Sequence, residues 1–126
     1  MRKYLSLFLF LGISASVFGA GLEPFDQTKF KEAASPGKVF LVGFHSDSCG
    51  SCLKQKPILD ALLKEPRFNQ NAGFSADIHK EAELKKAFRV TSSSTLVLFR
   101  EDGTELGRAI GITSDKDIRV FLEKGV

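Results

Sequence analysis

Continuous apolar runs alternate with amphipathic segments along this chain. Residues 39–44 and 96–99 carry almost no polar side chain, which is typical of strands covered on both faces of a sheet. Residues 74–78 form a shorter apolar segment, and residues 104–110 form a weaker one. The pattern therefore predicts four strands.

Four amphipathic segments flank these strands, and we predict a helix for each of them. They are Asp26–Ala34, a segment from Cys49 to about Lys64, Lys80–Phe88, and a last segment from Ser114 to Gly125. Asp26 or Thr28 is the expected N-cap of the first helix, because a side-chain oxygen there accepts from a free N–H group of the first turn. Ser114 opens a sequence that resembles a capping box.

The predicted elements follow in the order α, β, α, β, α, β, β, α. Such alternation predicts a parallel sheet with helices on both faces, and the short turn Glu101-Asp102-Gly103 adds an antiparallel hairpin at one edge. The chain has 126 residues and contains no internal repeat or long linker. We therefore expect one α/β domain over residues 21–126.

The first twenty residues differ from the rest of the chain. Arg2 and Lys3 precede an apolar run from Tyr4 to Phe18, and small residues follow it. This order is that of a secretory signal peptide. An uncleaved anchor helix is the alternative, but the run is shorter than the about 20 apolar residues that span a bilayer. We expect residues 1–20 to be a cleaved signal peptide. We also expect the protein to be secreted across the inner membrane into the periplasm and to have no stable membrane span afterwards.

Charge and composition limit the classes of function. Loss of Arg2 and Lys3 with the signal peptide lowers the net charge from +3 to +1, because residues 1–20 contain no acidic residue. This balance does not indicate a nucleic-acid-binding protein. The hydrophobic content of 43% excludes collagen-like and highly charged disordered chains.

The sequence Cys49-Gly50-Ser51-Cys52 lies where a central strand passes into a helix. Two cysteines three residues apart on a first helical turn reach the Cα separation of a disulfide, about 4.4–6.8 Å. The free N–H groups and the helix dipole favour a thiolate at Cys49, whereas we expect Cys52 to be less exposed and higher in pKa. We expect a redox-active pair in which one sulfur attacks and the other resolves the mixed disulfide, with Gly50 and Ser51 adjusting its potential.

Other interpretations of the cysteine pair stay open. One alternative is that the pair forms a purely structural disulfide, although the loop that the bond closes is too short to restrict the unfolded chain much. Another alternative is that the pair is half of a zinc or copper site. Because the sequence has no second cysteine pair, His45 or His79 would complete that site. His45 itself is a candidate to stabilise a thiolate or move a proton, or it is a loop histidine without a chemical role.

From about Asp26 to its C-terminus, the chain resembles the thioredoxin fold. The matching segments are 39–44, the cysteine pair, Pro57 five residues after it, Ala76–Ile78, Glu81–Val90, Thr95–Phe99, Asp102-Gly103 and Gly111. The resemblance implies a central mixed sheet with helices on both faces and a thiol–disulfide oxidoreductase. It also implies that Cys49 is the nucleophile, that Cys52 is the resolving thiol, and that Pro57 kinks the active-site helix.

Several positions depart from the pattern of that family. Ser48 stands where members usually carry Trp before the first cysteine, and His45 replaces another aromatic residue near the site. Gly43 stands where many members bury an Asp that passes a proton to the second cysteine, and Ser75 where the Lys partner of that Asp would lie.

The family's cis-proline is replaced by Ser94. A cis bond before a non-proline residue costs about 2.5–4 kcal/mol, against about 0.5–1 kcal/mol before proline. Because Thr95–Phe99 keeps the family's register, we expect a strained cis bond between Ser93 and Ser94. These two residues are the expected substrate-binding residues beside the cysteine pair.

These observations lead to one expected function and one alternative. We expect an exported thiol–disulfide oxidoreductase on the reductase or isomerase side, acting on client proteins with disulfides or thiols, with an unknown redox partner and no cofactor. We expect it to be a monomer that binds no nucleic acid and has no metal site. The alternative is a copper or zinc carrier that uses Cys49, Cys52 and His45.

Overall fold

The computed structural model describes residues 21–126, so the expected signal peptide 1–20 lies outside the described residues. The strands are β1 (Leu22–Pro24), β2 (Val39–His45), β3 (Ala72–Asp77), β4 (Thr95–Arg100) and β5 (Glu105–Ile110). The helices are α1 (Gln27–Ala33), α2 (Gly50–Leu62), α3 (Ala82–Ala87) and α4 (Asp115–Leu122), and a 3-10 helix (Glu123–Gly125) follows α4. No helix within residues 21–126 has the length and hydropathy needed to cross a membrane.

All five strands form one mixed sheet in the order β1-β3-β2-β4-β5. β1, β3 and β2 are parallel, and β4 and β5 form the predicted antiparallel hairpin. β4 is also antiparallel to β2. The parallel pairing expected from helix–strand alternation is therefore wrong for these two strands. α3 has 6 residues and advances only about 9 Å, less than half of the roughly 20 Å length of β3, and the turns on either side of it do not carry the chain back along the strand. The chain therefore re-enters the sheet at the end from which it left.

Helices cover both faces of the sheet, which confirms the predicted fold class. Along β2, Val39 and Leu41 face the layer of α2 and α4, whereas Phe40, Val42 and Phe44 face the layer of α1 and α3. Burial on both faces explains the continuous apolar run of this strand. On the face of β2 that packs against α2, the position after Val39 and Leu41 is Gly43.

The helix starts follow from local capping. Asp26 caps α1, since its carboxylate accepts a 2.9 Å hydrogen bond from the N–H of Lys29. Ser114 caps α4 in the same way, accepting from the N–H of Asp117 at 3.1 Å. α3 begins two residues later than predicted, after Glu81, which gives it no side-chain cap. The sequence did not predict β1, because three residues ending in a proline show no periodicity.

Candidate active site

Cys49 and Cys52 lie where β2 passes into α2. A three-residue turn follows β2, and Cys49 is the N-cap of α2. The two cysteines form a disulfide with their Cα atoms 5.3 Å apart. The predicted position of a disulfide-forming pair at a strand-to-helix junction is therefore confirmed.

The two sulfur atoms have opposite hydrogen-bond environments. Cys49 Sγ accepts from the backbone N–H of Cys52 at 3.2 Å and lies 3.6 Å from the hydroxyl oxygen of Ser51. Cys52 Sγ lies 3.8 Å from the carbonyl oxygen of Phe44, a group that only accepts. Donors stabilise a thiolate, whereas a carbonyl stabilises a protonated thiol. After reduction, these surroundings favour negative charge on Cys49 and a proton on Cys52.

Exposure does not separate the two cysteines. Cys49 is 9% exposed and Cys52 is 8% exposed, so both residues are buried to nearly the same extent in the oxidised protein. The difference between the two residues is one of hydrogen bonding.

Ser94 lies in the loop before β4. The expected cis bond between Ser93 and Ser94 is wrong, because no cis peptide bond occurs within residues 21–126. Ser94 instead has a φ of +67°, in the left-handed region that non-glycine residues rarely adopt. Its N–H donates to the carbonyl of Phe44 at 2.7 Å, and its carbonyl accepts from the N–H of Gly111 at 3.0 Å. The register of β4 is thus kept by a positive φ rather than by a cis bond.

The other predicted site residues occupy different places. The Ser51 hydroxyl donates to the hydroxyl oxygen of Ser94 at 2.9 Å, which joins the cysteine motif to the loop before β4. Gly50 is exposed, and a Cβ atom there would meet nothing within 4 Å. Ser93 is half-buried beside Ser94. Pro57 is exposed inside α2, about 7.5 Å of helix rise beyond Cys52.

A cleft of about 500 Å³ opens beside Cys52, between α2 and the sheet. Gly43 and Ser75 line this cleft where the family resemblance leads one to expect a buried Asp and its Lys partner. His45 lines it too, together with exposed residues such as Lys80. Because neither Gly43 nor Ser75 has a long side chain, the cleft connects Cys52 with the surface.

Asp77 pairs with His45 in the β2–β3 register and lines the same cleft. The pKa of the Asp77 carboxyl group lies below its usual range, first because the carboxylate accepts a 2.8 Å hydrogen bond from the N–H of His79. The N–H and the positive charge of Lys80 lower this pKa further. A carboxylate therefore faces His45, a relationship that the sequence did not indicate.

Gln55 is a further site residue, which the sequence did not predict. It is 3% exposed, and its side-chain amide donates to the carbonyl oxygens of Ile112 at 2.8 Å and Ser94 at 3.5 Å. A signal for it exists in the spacing of Cys52, Gln55 and Leu59, which places a polar residue on the buried face of the helix. Gln55 ties α2 to the loop that carries Ser94.

The side chains considered for a metal site are not gathered in one place. His45 lines the cleft beside Cys52, whereas His79 is exposed in the turn after β3. Within the part of the chain that the structure describes, no group of three or more His, Cys, Asp or Glu residues is placed to hold a metal ion.

The chain is similar to known proteins over most of its length. The family model for thioredoxin matches residues 22–124. A disulfide bond formation protein of Brevibacillus choshinensis is 33% identical over 93 residues, which cover 73% of this chain and 77% of that protein. A thioredoxin of Chlamydia muridarum is 35% identical over 96 residues, covering 76% of this chain and 89% of its own. The solved structure of Trxlp from Edwardsiella tarda has a TM-score of 0.73 at 32% identity, covering 80% of this chain and 97% of that one.

Proposed function

Because this chain belongs to the thioredoxin family and is a thiol–disulfide oxidoreductase, we propose that it is exported and reduces or isomerises disulfides of client proteins. Cys49 is the attacking thiol in this proposal, and Cys52 is the resolving thiol. Residues 1–20 are the signal peptide, and residues 21–126 are the mature domain, which acts as a monomer.

The observation that carries the division of roles is the contrast between the two sulfur atoms. Cys49 Sγ accepts from the Cys52 N–H at 3.2 Å, whereas Cys52 Sγ faces the carbonyl of Phe44 at 3.8 Å. A thiolate is the nucleophile in thiol–disulfide exchange, and a thiol is not. The reduced protein therefore presents Cys49 as its nucleophile and keeps Cys52 protonated until the second step.

The reaction then proceeds in two exchanges. The Cys49 thiolate attacks one sulfur of a client disulfide, so that a bond between Cys49 and the client forms, the client disulfide breaks and one client thiolate leaves. Cys52 then loses its proton and attacks Cys49. The Cys49–Cys52 disulfide forms, the second client thiolate leaves, and the client has gained two electrons. An external dithiol reductant returns the protein to its reduced form.

The proton of Cys52 needs an acceptor in the second exchange. Gly43 offers no carboxylate, but the cleft beside Cys52 is also lined by His45, which Asp77 faces. Imidazole is suited to proton transfer near neutral pH. We assign His45 as the proton acceptor, acting through the cleft.

Two comparisons support export and the direction of the reaction. Export is supported by residues 1–20, in which positive residues, an apolar run and small residues follow one another. It is also supported by the similarity to a disulfide bond formation protein. The reducing direction is supported by the similarity to thioredoxins, since thioredoxin has a potential of about −270 mV and the oxidant DsbA one of about −120 mV.

Reduction of insulin by dithiothreitol tests this function. We expect the protein to accelerate precipitation of the insulin B chain, and Cys49→Ser to abolish the acceleration. Cys52→Ser should instead accumulate a mixed disulfide with its client, because the resolving thiol is missing. Ser48→Ala, a change at an exposed residue next to the motif, is the matched control. Full turnover by Cys49→Ser would contradict the proposal.

The metal-carrier alternative predicts a different pair of results. A carrier that uses Cys49, Cys52 and His45 binds one Cu(I) or Zn²⁺ per chain, and His45→Phe weakens that binding. It does not accelerate insulin reduction. Stoichiometric metal binding without catalysis would therefore replace the proposal.

A further inference from the structure

Three polar atoms form a chain that leads from the loop before β4 to the Cys49 sulfur. Ser94 Oγ lies 2.9 Å from Ser51 Oγ, and Ser51 Oγ lies 3.6 Å from Cys49 Sγ. In the oxidised protein, Ser51 donates its hydrogen to Ser94. Within residues 21–126, Ser51 is the hydrogen-bond partner of the Ser94 hydroxyl.

We propose that this chain reverses when the disulfide is reduced, so that Ser94 acts through Ser51 to stabilise the Cys49 thiolate. A hydroxyl has one hydrogen to donate and two lone pairs that accept. When Ser51 turns its hydrogen to the thiolate, its oxygen is free to accept the hydrogen of Ser94. The heavy atoms stay in place, and only two hydroxyl hydrogens rotate. Ser51 is the donor to the reacting sulfur, and Ser94 is a positioning residue.

The backbone of Ser94 is held in place beside Ser51. Its N–H and its carbonyl are both hydrogen-bonded, to Phe44 at 2.7 Å and to Gly111 at 3.0 Å, and its φ of +67° is held between them. Ser94 is 4% exposed, so water competes little for its hydroxyl. Because its heavy atom is already within hydrogen-bond distance of Ser51, the Ser94 hydroxyl needs little reorganisation when the thiolate forms.

The consequence of this hydrogen-bond chain is a lower pKa of the Cys49 thiol. Hydrogen bonds to a charged group contribute more than neutral ones, and a hydroxyl that is itself hydrogen-bonded is a stronger donor. Stabilising the thiolate also stabilises the reduced protein relative to the disulfide, which makes the pair more oxidising. This inference deepens the proposed function and rests on it, because it concerns the sulfur assigned as the nucleophile.

The test is the pKa of Cys49 in proteins that also carry Cys52→Ala, so that a single thiol titrates. Thiolate absorbance reports it, helped by the absence of Trp from the chain and by Tyr4 being its one Tyr. We expect Ser51→Ala to raise this pKa by about one unit. Ser94→Gly, which removes the hydroxyl and tolerates the positive φ, should raise it by about half a unit.

The decisive comparison is the double variant. Because Ser94 acts only through Ser51, Ser94→Gly should change nothing in a Ser51→Ala background. Ser51→Thr keeps a hydroxyl and should restore most of the shift, and Ser48→Ala should leave the pKa unchanged. An unchanged pKa in Ser94→Gly, or the same shift with and without Ser51, would overturn the inference. Insulin reduction is read separately, so a failure of the hydroxyl chain leaves the proposed function standing, and a failure of catalysis leaves the titration result standing.

Discussion

The carbonyl oxygen of Phe44 accepts a 2.7 Å hydrogen bond from the N–H of Ser94 and lies 3.8 Å from the sulfur of Cys52. One backbone group at the end of β2 thus anchors the loop before β4 and faces the resolving thiol. Position 94 depends on an N–H and on a positive φ, whereas proline lacks the first and excludes the second.

Ser94→Pro should therefore destabilise the protein. The substitution removes the hydrogen bond to Phe44 and forces φ to about −65°. We expect the free energy of unfolding to fall by about 2 kcal/mol or more, which denaturant unfolding measures. Ser94→Gly is the matched control, since it keeps the N–H and the positive φ. A more stable Ser94→Pro variant would mean that the loop readily accepts a cis bond.

Gly43 lies on β2 opposite Leu96 of β4, and both residues line the cleft beside Cys52. A Cβ atom at position 43 would lie 3.3 Å from Leu96 Cδ2, so a side chain fits there after a small shift. Gly43→Asp should supply a partly buried carboxylate that accepts the proton of Cys52, at a stability cost of about 1–3 kcal/mol. We expect faster release of client from the mixed disulfide, measured in a stopped-flow single turnover.

Gly43→Asn is the control for Gly43→Asp, because it adds the same bulk without a titratable group. The carboxylate explanation requires that only the aspartate variant accelerates the second exchange. An equal gain in both variants would mean that filling the cleft, rather than accepting a proton, changes the rate.

His45→Phe keeps the bulk of the side chain and removes the imidazole. If His45 accepts the proton of Cys52, the second exchange should slow by about ten-fold or more. The dependence of turnover on pH between about 5 and 8 should also flatten. His79→Phe, at the exposed histidine of the neighbouring turn, should leave the pH profile as it is. An unchanged profile in His45→Phe would end the assignment.

The redox potential of the Cys49–Cys52 pair tests the direction of the reaction. We expect a value nearer to the about −270 mV of thioredoxin than to the about −120 mV of DsbA. Since the chain has no Trp, equilibration with glutathione followed by alkylation and mass spectrometry is the suitable readout. A value near that of DsbA would assign the protein to disulfide formation instead.

The sequence predicted the fold and the cysteine pair well because their signals are local. The caps Asp26 and Ser114 and the spacing of the cysteines reflect contacts within a few residues, and the apolar run of β2 is itself a continuous segment of the sequence. The direction of β4 was not predictable in this way, since it depends on where α3 returns the chain.

The environment of the sulfur atoms could not be predicted from the sequence either. The contact of Cys52 with the Phe44 carbonyl and the hydrogen bond between Ser51 and Ser94 join residues that only the folded sheet brings together. The family resemblance also suggested a cis bond at Ser94, whereas a residue with a hydrogen-bonded N–H reaches the same register with a positive φ.

Competitive alkylation of the reduced protein shows whether Cys49 is the nucleophile. Limiting iodoacetamide is added over a range of pH, and fragmentation of the tryptic peptide 39–54, which contains both cysteines, locates the label. We expect Cys49 to be labelled first, with a midpoint below the pKa of about 8.5 of a free cysteine, while Cys52 stays unlabelled until higher pH. Labelling of Cys52 first, or of both at the same rate and midpoint, would contradict this assignment.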